Sequence, residues 1–338
     1  MRLNIYVKNL SFTMTTIPAY RICIAPMIDW TDRHYRYMMR LITQKTMLYT
    51  EMITANAIIH GPYQQLLKYS PQESPLTLQL GGNNPQDLGY CAKLAEELGF
   101  DGVNLNVGCP SNRVQKGEFG LSLMYKPHLV AECVEAMKKS TQIPVSVKCR
   151  TGVDNNDSLE ALEHFISCVT EANADYVFIH ARKGWLGGLS PKENRTIPPL
   201  QYDKVYQTKA LFPEKFIGIN GGVNTLEQAQ KHLQKVDGVM IGRQAYHQPM
   251  LFKEVDHIFY QQPKNHLTPS EVAELLIPYI DKELKTNQVK LNHITRHALN
   301  LFNGYPKSKS YRRFLSEHAY QENADITIFK KALSYMQQ

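Results

Sequence analysis

The chain has 338 residues, 43% of them hydrophobic and 20% charged, the composition of a globular protein long enough to bury a large core. No apolar run approaches the roughly 20 residues that a membrane-crossing helix needs, so a membrane protein is not expected. Lysine and arginine outnumber acidic residues by 38 to 31, a net charge of +7, which attracts an anionic partner wherever the excess is clustered.

Residues 1–19 carry short mixed runs and a second methionine, Met14, and read as an N-terminal extension. The six cysteines, Cys23, Cys91, Cys109, Cys133, Cys149 and Cys168, stand singly with no C-x-x-C pair and no metal-like spacing with histidine. They predict reduced thiols in a cytoplasmic protein, and no metal site is expected.

From residue 20 onward, short β-branched runs alternate with longer helical ones, the pattern of βα units. Eight strands are expected, at 21–25, 46–50, 76–80, 102–107, 144–148, 176–180, 216–220 and 238–242. Helix starts are marked between them. Asn84-Pro85 with Asp87 places a cap, a first-turn proline and an early acid before Leu88, Cys91, Ala92 and Ala95, and Gly99 ends that helix. Asp157 with Glu160, and Asn224 with Glu227, predict caps after the fifth and seventh strands. Eight strand-helix repeats close a (β/α)8 TIM barrel over residues 20–260, whereas a dinucleotide-binding open sheet would show a G-x-G-x-x-G turn that this chain lacks.

Beyond residue 260 the strand signal stops. Thr268-Pro269-Ser270-Glu271 is a capping box with proline in the first turn, and Val272, Leu275, Leu276, Tyr279 and Ile280 follow as one apolar stripe. Pro278 should bend that helix. Further helical stretches at 290–302, 309–318 and 325–336 make residues 261–338 a small helical bundle bearing Arg296, Lys307, Lys309, Arg312, Arg313, Lys330 and Lys331.

Side chains alternate faces along a strand. In strand three the leucines share one face and leave Gln79 on the other; the same reading isolates Asn104 and Asn106, Lys148, His180 and Asn220 near the ends of the next four strands. One such residue is ordinarily a satisfied polar group. Five strands in succession place a polar ring at the C-terminal mouth, where barrel enzymes build their sites. Strands seven and eight end in Asn220-Gly221-Gly222 and Gly242-Arg243, loops that commonly bind phosphate in this fold, so a phosphate-bearing flavin such as FMN is the leading ligand. Cys109 sits just past strand four in a turn constrained by Gly108 and Pro110, placed to act as a general acid above such a ring. The other five cysteines read as inert core residues.

At this point several motifs in order resemble one family. Residues 25–33 (Ala-Pro-Met-Ile-Asp-Trp-Thr-Asp-Arg), Gln79-Leu80-Gly81-Gly82, the Asn-Val-Gly-Cys-Pro-Ser run ending at Ser111, His180-Ala181-Arg182-Lys183, residues 189–195 and Asn220-Gly221-Gly222 look like the tRNA-dihydrouridine synthases, with wording closest to the A type. The resemblance covers residues 20–335. It implies an enzyme that uses FMN and NADPH to reduce the C5–C6 bond of uridine in the tRNA D-loop, at positions 20 and 20a. By motif, it assigns FMN to Pro26, Met27, Gln79, Lys148, His180, Asn220, Gly221, Gly222, Gly242 and Arg243, and the proton to Cys109. Asn106 would touch the target nucleotide; Lys192, Arg195, Lys309 and Arg312 would contact tRNA. Arginine is frequent in the family where Lys309 stands, and small residues are usual where Leu121-Ser122 follows Phe119-Gly120. A monomer acting on tRNA is expected.

Two other readings stay open on the residues alone. An FMN barrel for a small pyrimidine or enone would leave the basic bundle without a task. A non-catalytic RNA-binding protein would need neither the polar rim nor Cys109.

Overall fold

A computed structural model describes residues 17–336, and the expected extension, with Met14, therefore falls almost wholly outside the described residues. Eight strands form the expected ring: β1 (Ile22–Ile24), β2 (Leu48–Thr54), β3 (Leu76–Gly81), β4 (Gly102–Asn106), β5 (Val145–Arg150), β6 (Tyr176–His180), β7 (Phe216–Asn220) and β8 (Gly238–Ile241). All neighbouring strands are parallel, in the order β1-β8-β7-β6-β5-β4-β3-β2. The ring closes where the Ile24 amide donates to the Met47 carbonyl (3.0 Å) and the Met47 amide donates to that of Ile22 (3.1 Å).

Helices return the chain after each strand. They are α1 (Arg33–Ile42) after β1, α2 (Ala55–His60) and α3 (Tyr63–Leu66) after β2, and α4 (Pro85–Glu97) after β3. After β4 come α5 (Asn112–Lys116) and α6 (Pro127–Ser140), then α7 (Leu159–Glu171), α8 (Tyr202–Leu211) and α9 (Leu226–His232) after β5, β6 and β7. Beyond β8 lie α10 (Arg243–His247) and α11 (Val255–Tyr260), followed by α12 (Pro269–Asn287), α13 (Leu291–Ala298), α14 (Ser308–His318) and α15 (Ile326–Ser334). No described helix is long and apolar enough to cross a membrane.

The strand alternation divides the core in two. Leu76, Leu78, Leu80, Val103, Leu105, Val145, Val147, Val177 and Ile179 face the helices in one large cluster, while Cys23, Met47, Tyr49, Tyr176, Phe178 and Met240 fill the lower barrel. Cys23, read from sequence as an inert core thiol, is part of this inner plug. Gly218 lies opposite Phe178 in the β6–β7 register, and a Cβ there would stand 2.2 Å from the Phe178 ring. The glycine is required for packing, because its missing side chain is the space that the aromatic ring occupies.

Several boundaries differ from the sequence reading, most of the strand ends by a single residue. β2 runs on to Thr54 because its register with β3 shifts between Tyr49 and Met52, and pairing then resumes as Met52↔Gln79; such a bulge hides a strand's second half from a period-two reading. β5 extends to Arg150, two residues beyond the expected end. The caps of α7 and α9 are Ser158 and Thr225, one residue after the expected Asp157 and Asn224. Asp157 instead pairs with Lys183 (3.0 Å). The capping box at Thr268 forms, and α12 runs unbroken through Pro278.

The C-terminal helices are joined to the barrel mainly through α1. Asp32 caps α1 and also receives Arg296 (2.6 Å) and His297 (2.9 Å) from α13. Burial opposes the charge on Asp32, but the hydrogen bond and charge of His297, with the Tyr35 amide, outweigh it and hold the carboxyl well below the usual range. Tyr279 stacks on Tyr37 (3.8 Å between centroids) and its hydroxyl meets His34 Nδ1 at 2.7 Å. Arg33 pairs with Glu283 alongside.

Gly218→Ala should lower stability by about 1–3 kcal/mol through overpacking. Adding Phe178→Leu should restore part of that loss in denaturant unfolding, and purely additive losses would show that the two residues do not share the space.

Candidate active site

The polar ring forms as one hydrogen-bonded chain. Asn106 Nδ2 donates to Gln79 Oε1 (2.9 Å), Gln79 Nε2 to Asn104 Oδ1 (2.8 Å), and Asn104 Nδ2 to Ser146 Oγ (2.9 Å). These residues face each other because β3, β4 and β5 pair as Gln79↔Asn104 and Asn104↔Ser146. Gln79 and Asn104 are buried, and every amide finds a partner.

The other side of the mouth is cationic. Lys148 and His180 lie deep in the structure, yet each retains partial exposure at the C-terminal ends of β5 and β6. Burial, then the neighbouring Arg150, pushes the Lys148 ammonium down to about 8. For His180, burial and the charges of Arg150, Lys148, Arg182 and Arg243 hold the pKa well below its ordinary value, so the ring is neutral at pH 7. Among the described residues, Lys148 Nζ has no ion-pair or hydrogen-bond partner. A convergence of cations without a facing carboxylate fits a phosphate and an electron-rich heterocycle, the two parts of FMN.

The glycine loops are shaped for this arrangement. Gly221 has φ +111°, and a Cβ there would lie 2.7 Å from the His180 ring; Gly222 has φ +70° and would strike the Tyr202 hydroxyl. Asn220 is turned to the backbone, its Nδ2 donating to the Met240 carbonyl (2.7 Å). Gly242 begins α10 beside Met27, whose sulfur lies 3.7 Å from the glycine's ideal Cβ position. Pro26 and Met27 are half-buried, and the Met27 amide donates to Thr31 Oγ1 (2.9 Å). Arg243 is exposed, and its guanidinium reaches the Arg195 carbonyl (3.3 Å). The ten residues assigned to FMN thus come together around one rim.

Cys109 is half-buried on the loop after β4. Asn106 Oδ1 accepts the amides of Gly108 (3.1 Å) and Cys109 (2.9 Å), while the Leu121 amide donates to the Cys109 carbonyl (3.0 Å). Asn106 therefore shapes the turn that carries the thiol, a task that its strand position did not reveal. Gly120 has φ +67°, and a Cβ there would lie 2.7 Å from the Cys109 carbonyl oxygen. Leu121 fills the space beside Gly184, and Ser122 bonds the Phe119 carbonyl (3.0 Å), so the Leu-Ser departure is accommodated by packing below the loop.

Sequence reasoning missed Arg150. It shares the inward face of β5 with Ser146 and Lys148, and extending that strand by one pleat would have found it. Its Nε donates to the Gly108 carbonyl (2.8 Å), and Nη1 donates to those of Lys183 (3.2 Å) and Asn194 (3.0 Å). One buried guanidinium thereby ties the thiol loop to the loop spanning 183–195. Burial lowers its pKa to about 10, leaving it cationic at neutral pH. Asn194 knits the second loop from inside, through Trp185 and Leu189. That leaves Lys192 and Arg195 exposed on a braced scaffold.

The rim, the glycine loops and the thiol turn occupy the mouth of a closed parallel barrel, and the family model for dihydrouridine synthase (Dus) matches residues 23–337. The chain belongs to the dihydrouridine synthase family. It is 54% identical over 314 residues to a tRNA-dihydrouridine(20/20a) synthase of Shewanella oneidensis, covering 93% of each chain. A tRNA-dihydrouridine(20/20a) synthase of Escherichia coli is 52% identical over 94% of this chain and 96% of its own, and one of Synechocystis is 52% identical over 92% and 93%. Among solved structures, a 2-naphthoyl-CoA reductase bound to 2-naphthoyl-CoA aligns with a TM-score of 0.53 at 13% identity, over 70% of this chain. The chain spans about half (49%) of that reductase, and the likeness extends to the barrel fold alone.

As a dihydrouridine synthase, the protein places its remaining predicted residues outside the mouth. Lys309 is exposed and Arg312 half-buried on α14, and among the described residues neither side chain makes an ion pair or hydrogen bond. α14 packs against α13 and α15.

Arg150→Lys retains one charge but cannot reproduce a planar fork to three carbonyls. Dihydrouridine formation should fall by about tenfold to a hundredfold through misplacement of the thiol loop, while flavin absorbance per protein stays unchanged. Wild-type turnover would remove Arg150 from that positioning role.

Proposed function

We propose that this protein reduces the C5–C6 bond of uridine in the tRNA D-loop, at positions 20 and 20a, using FMN at the barrel mouth and NADPH as reductant. The observation carrying this reading is the convergence of unpaired Lys148, neutral His180, Arg243 and the glycine loops with Cys109 at a single rim. High identity over nearly the whole chain to synthases named for positions 20 and 20a supports the site choice. The division expected from sequence supports a catalytic barrel at 20–260 and an RNA-holding helical module at 261–338. A cytoplasmic monomer is the form we propose acts on tRNA.

FMN, reduced by NADPH, would supply the hydride that reaches C6 of the uracil. Pro26, Met27 and Gln79 would hold the ring system, with Gly221, Gly222, Gly242 and Arg243 around its phosphate. Asn220 supports this cradle by tying β7 to the β8 backbone. Lys148 would neutralise charge on the pyrimidine edge of the ring, and His180, kept neutral, donates a hydrogen bond without adding a proton. Cys109 Sγ gives its proton to C5, and the charge left on sulfur faces the cations of Lys148, Arg150 and Arg195. Asn106 holds the thiol turn from below and orients the uracil with the part of its amide left at the mouth.

A stacked uracil cannot reach this depth, so the nucleotide must turn outward at a cost of a few kcal/mol, offset by contacts to phosphates. Lys192 and Arg195 on their braced loop, and Lys309 and Arg312 on α14, are proposed to supply those contacts. A cleft of about 380 Å³, lined in part by Lys68, His293 and Arg296, opens between β2 and α13.

Enzyme incubated with NADPH and tRNA should add the mass of two hydrogens to a D-loop fragment at position 20 or 20a. Cys109→Ala should remain yellow and accept electrons from NADPH, yet add that mass at least about a hundredfold more slowly. Turnover of free uracil with unmodified tRNA would sink the substrate reading, and full activity of Cys109→Ala would sink the acid role. For Arg312→Ala, tRNA affinity should fall and the slope of log K against log salt should shrink by about one, with NADPH oxidation intact; an unaltered slope removes Arg312 from the phosphate contacts.

A further inference from the structure

Outside the mouth, α6 and α7 bring three metal-binding side chains to one point on the outer helical ring. We infer that His128, His164 and Cys168 form a site for a borderline-soft divalent cation, zinc(II) being the best match to its ligands.

His164 and Cys168 are four residues apart on α7, which puts them on one face, one turn apart. His128 comes from the first turn of α6, the helix packed alongside. The expectation of no metal-like spacing overlooked the first pair and had no means of seeing the third residue, which only the packing of the two helices delivers. None of the three belongs to a strand or to a rim loop, so the cluster is separate from the candidate active site.

The distances are close to those that a metal demands. A tetrahedral zinc ion holds nitrogen at about 2.0–2.1 Å and sulfur at about 2.3 Å, which sets neighbouring ligand atoms about 3.5 Å apart. Cys168 Sγ lies 3.9 Å from His128 Nδ1 and 3.9 Å from His164 Nε2, and all three ligand atoms lie within 4.8 Å of one another. The sulfur is also 4.0 Å from His164 Nδ1, so it stands nearly equidistant from the two ring nitrogens, and rotation of the imidazole about its side-chain bonds aims one of them at the ion. The ring centroids of His128 and His164 are 5.5 Å apart at 72°, a near-perpendicular pair whose nitrogens can converge without the rings stacking.

Ligand chemistry selects the ion. Two imidazoles and one thiolate suit zinc, whereas calcium and magnesium require oxygen donors. Glu171, three residues beyond Cys168, is engaged by the Ser167 hydroxyl at 2.6 Å, and among the described residues no carboxylate oxygen joins the three ligand atoms, so water would complete the set. The buried sulfur and two exposed imidazoles give the ion an entry path from solvent on the histidine side. An ion bound here would link the start of α6 to the second half of α7.

The test is a cobalt(II) titration of the full-length flavin-bound protein under a non-thiol reductant. Wild type should develop the thiolate-to-cobalt charge-transfer band and tetrahedral d–d bands at one equivalent, and zinc should displace both. Cys168→Ser should lose the charge-transfer band; His128→Ala and His164→Ala should each weaken binding more than about tenfold. Zinc should raise the thermal midpoint of wild type and leave that of Cys168→Ser unmoved, since only a native-state site stabilises by mass action. Absence of the band in wild type, or its persistence in Cys168→Ser, overturns the assignment.

Discussion

The alternation of faces along parallel strands is the constraint on which the rest of the structure depends. On β3 to β6 the inward positions are polar or aromatic and the outward ones aliphatic, so a single register places Gln79, Asn104, Asn106, Ser146, Lys148, Arg150 and His180 inside one ring. A slip of one residue would send this set into the aliphatic layer under the helices and bring leucines and valines to the mouth. The amide relay from Asn106 to Ser146 reinforces that register, because buried carboxamides without partners would each cost on the order of 1–3 kcal/mol. The same alternation fills the barrel below with Tyr49, Tyr176 and Phe178. Function is thereby confined to the upper end, above a floor of aromatic rings.

Much of this was legible in the residues. β6 and β7 match the expected bounds, and Gln79, Asn104, Asn106, Lys148, His180 and Asn220 were found by parity alone, since a strand needs only its own sequence to declare which residues share a face. What escaped notice required partners distant in sequence. β2 was cut short because Thr50 and Glu51 interrupt its apolar run, and pairing with β3 carries it on. Asp157 and Ser158 are both acceptable caps; the ion pair with Lys183 decides between them. Arg150 reads as an ordinary strand-end arginine until three loop carbonyls gather around it. The proposed tRNA contacts Lys192, Arg195, Lys309 and Arg312 came from resemblance, because exposed cations have no local signature separating a contact from a solvated surface.

Cys109 and Cys168 illustrate how position rather than residue type assigns a thiol its chemistry. The first is held in a turn by Asn106, Leu121 and Gly120, half-open to the mouth. The second is buried on an outer helix beneath two histidines. Cys23 and Cys149 are fully enclosed, and burial pushes their thiols up, leaving them as inert packing units.

The short segment from Pro26 to Asp32 joins two regions with separate tasks. At one end Met27 borders the rim beside Gly242; at the other Asp32 grips α13 through Arg296 and His297, and in between Trp30 lies flat on Tyr246 (4.3 Å between centroids). Thr31 closes the segment back onto Met27, so it has little slack. A displacement of α13 would therefore be passed along this strap, through Asp32 and Thr31, to Met27 at the edge of the mouth, coupling the position of the C-terminal helices to the shape of the rim.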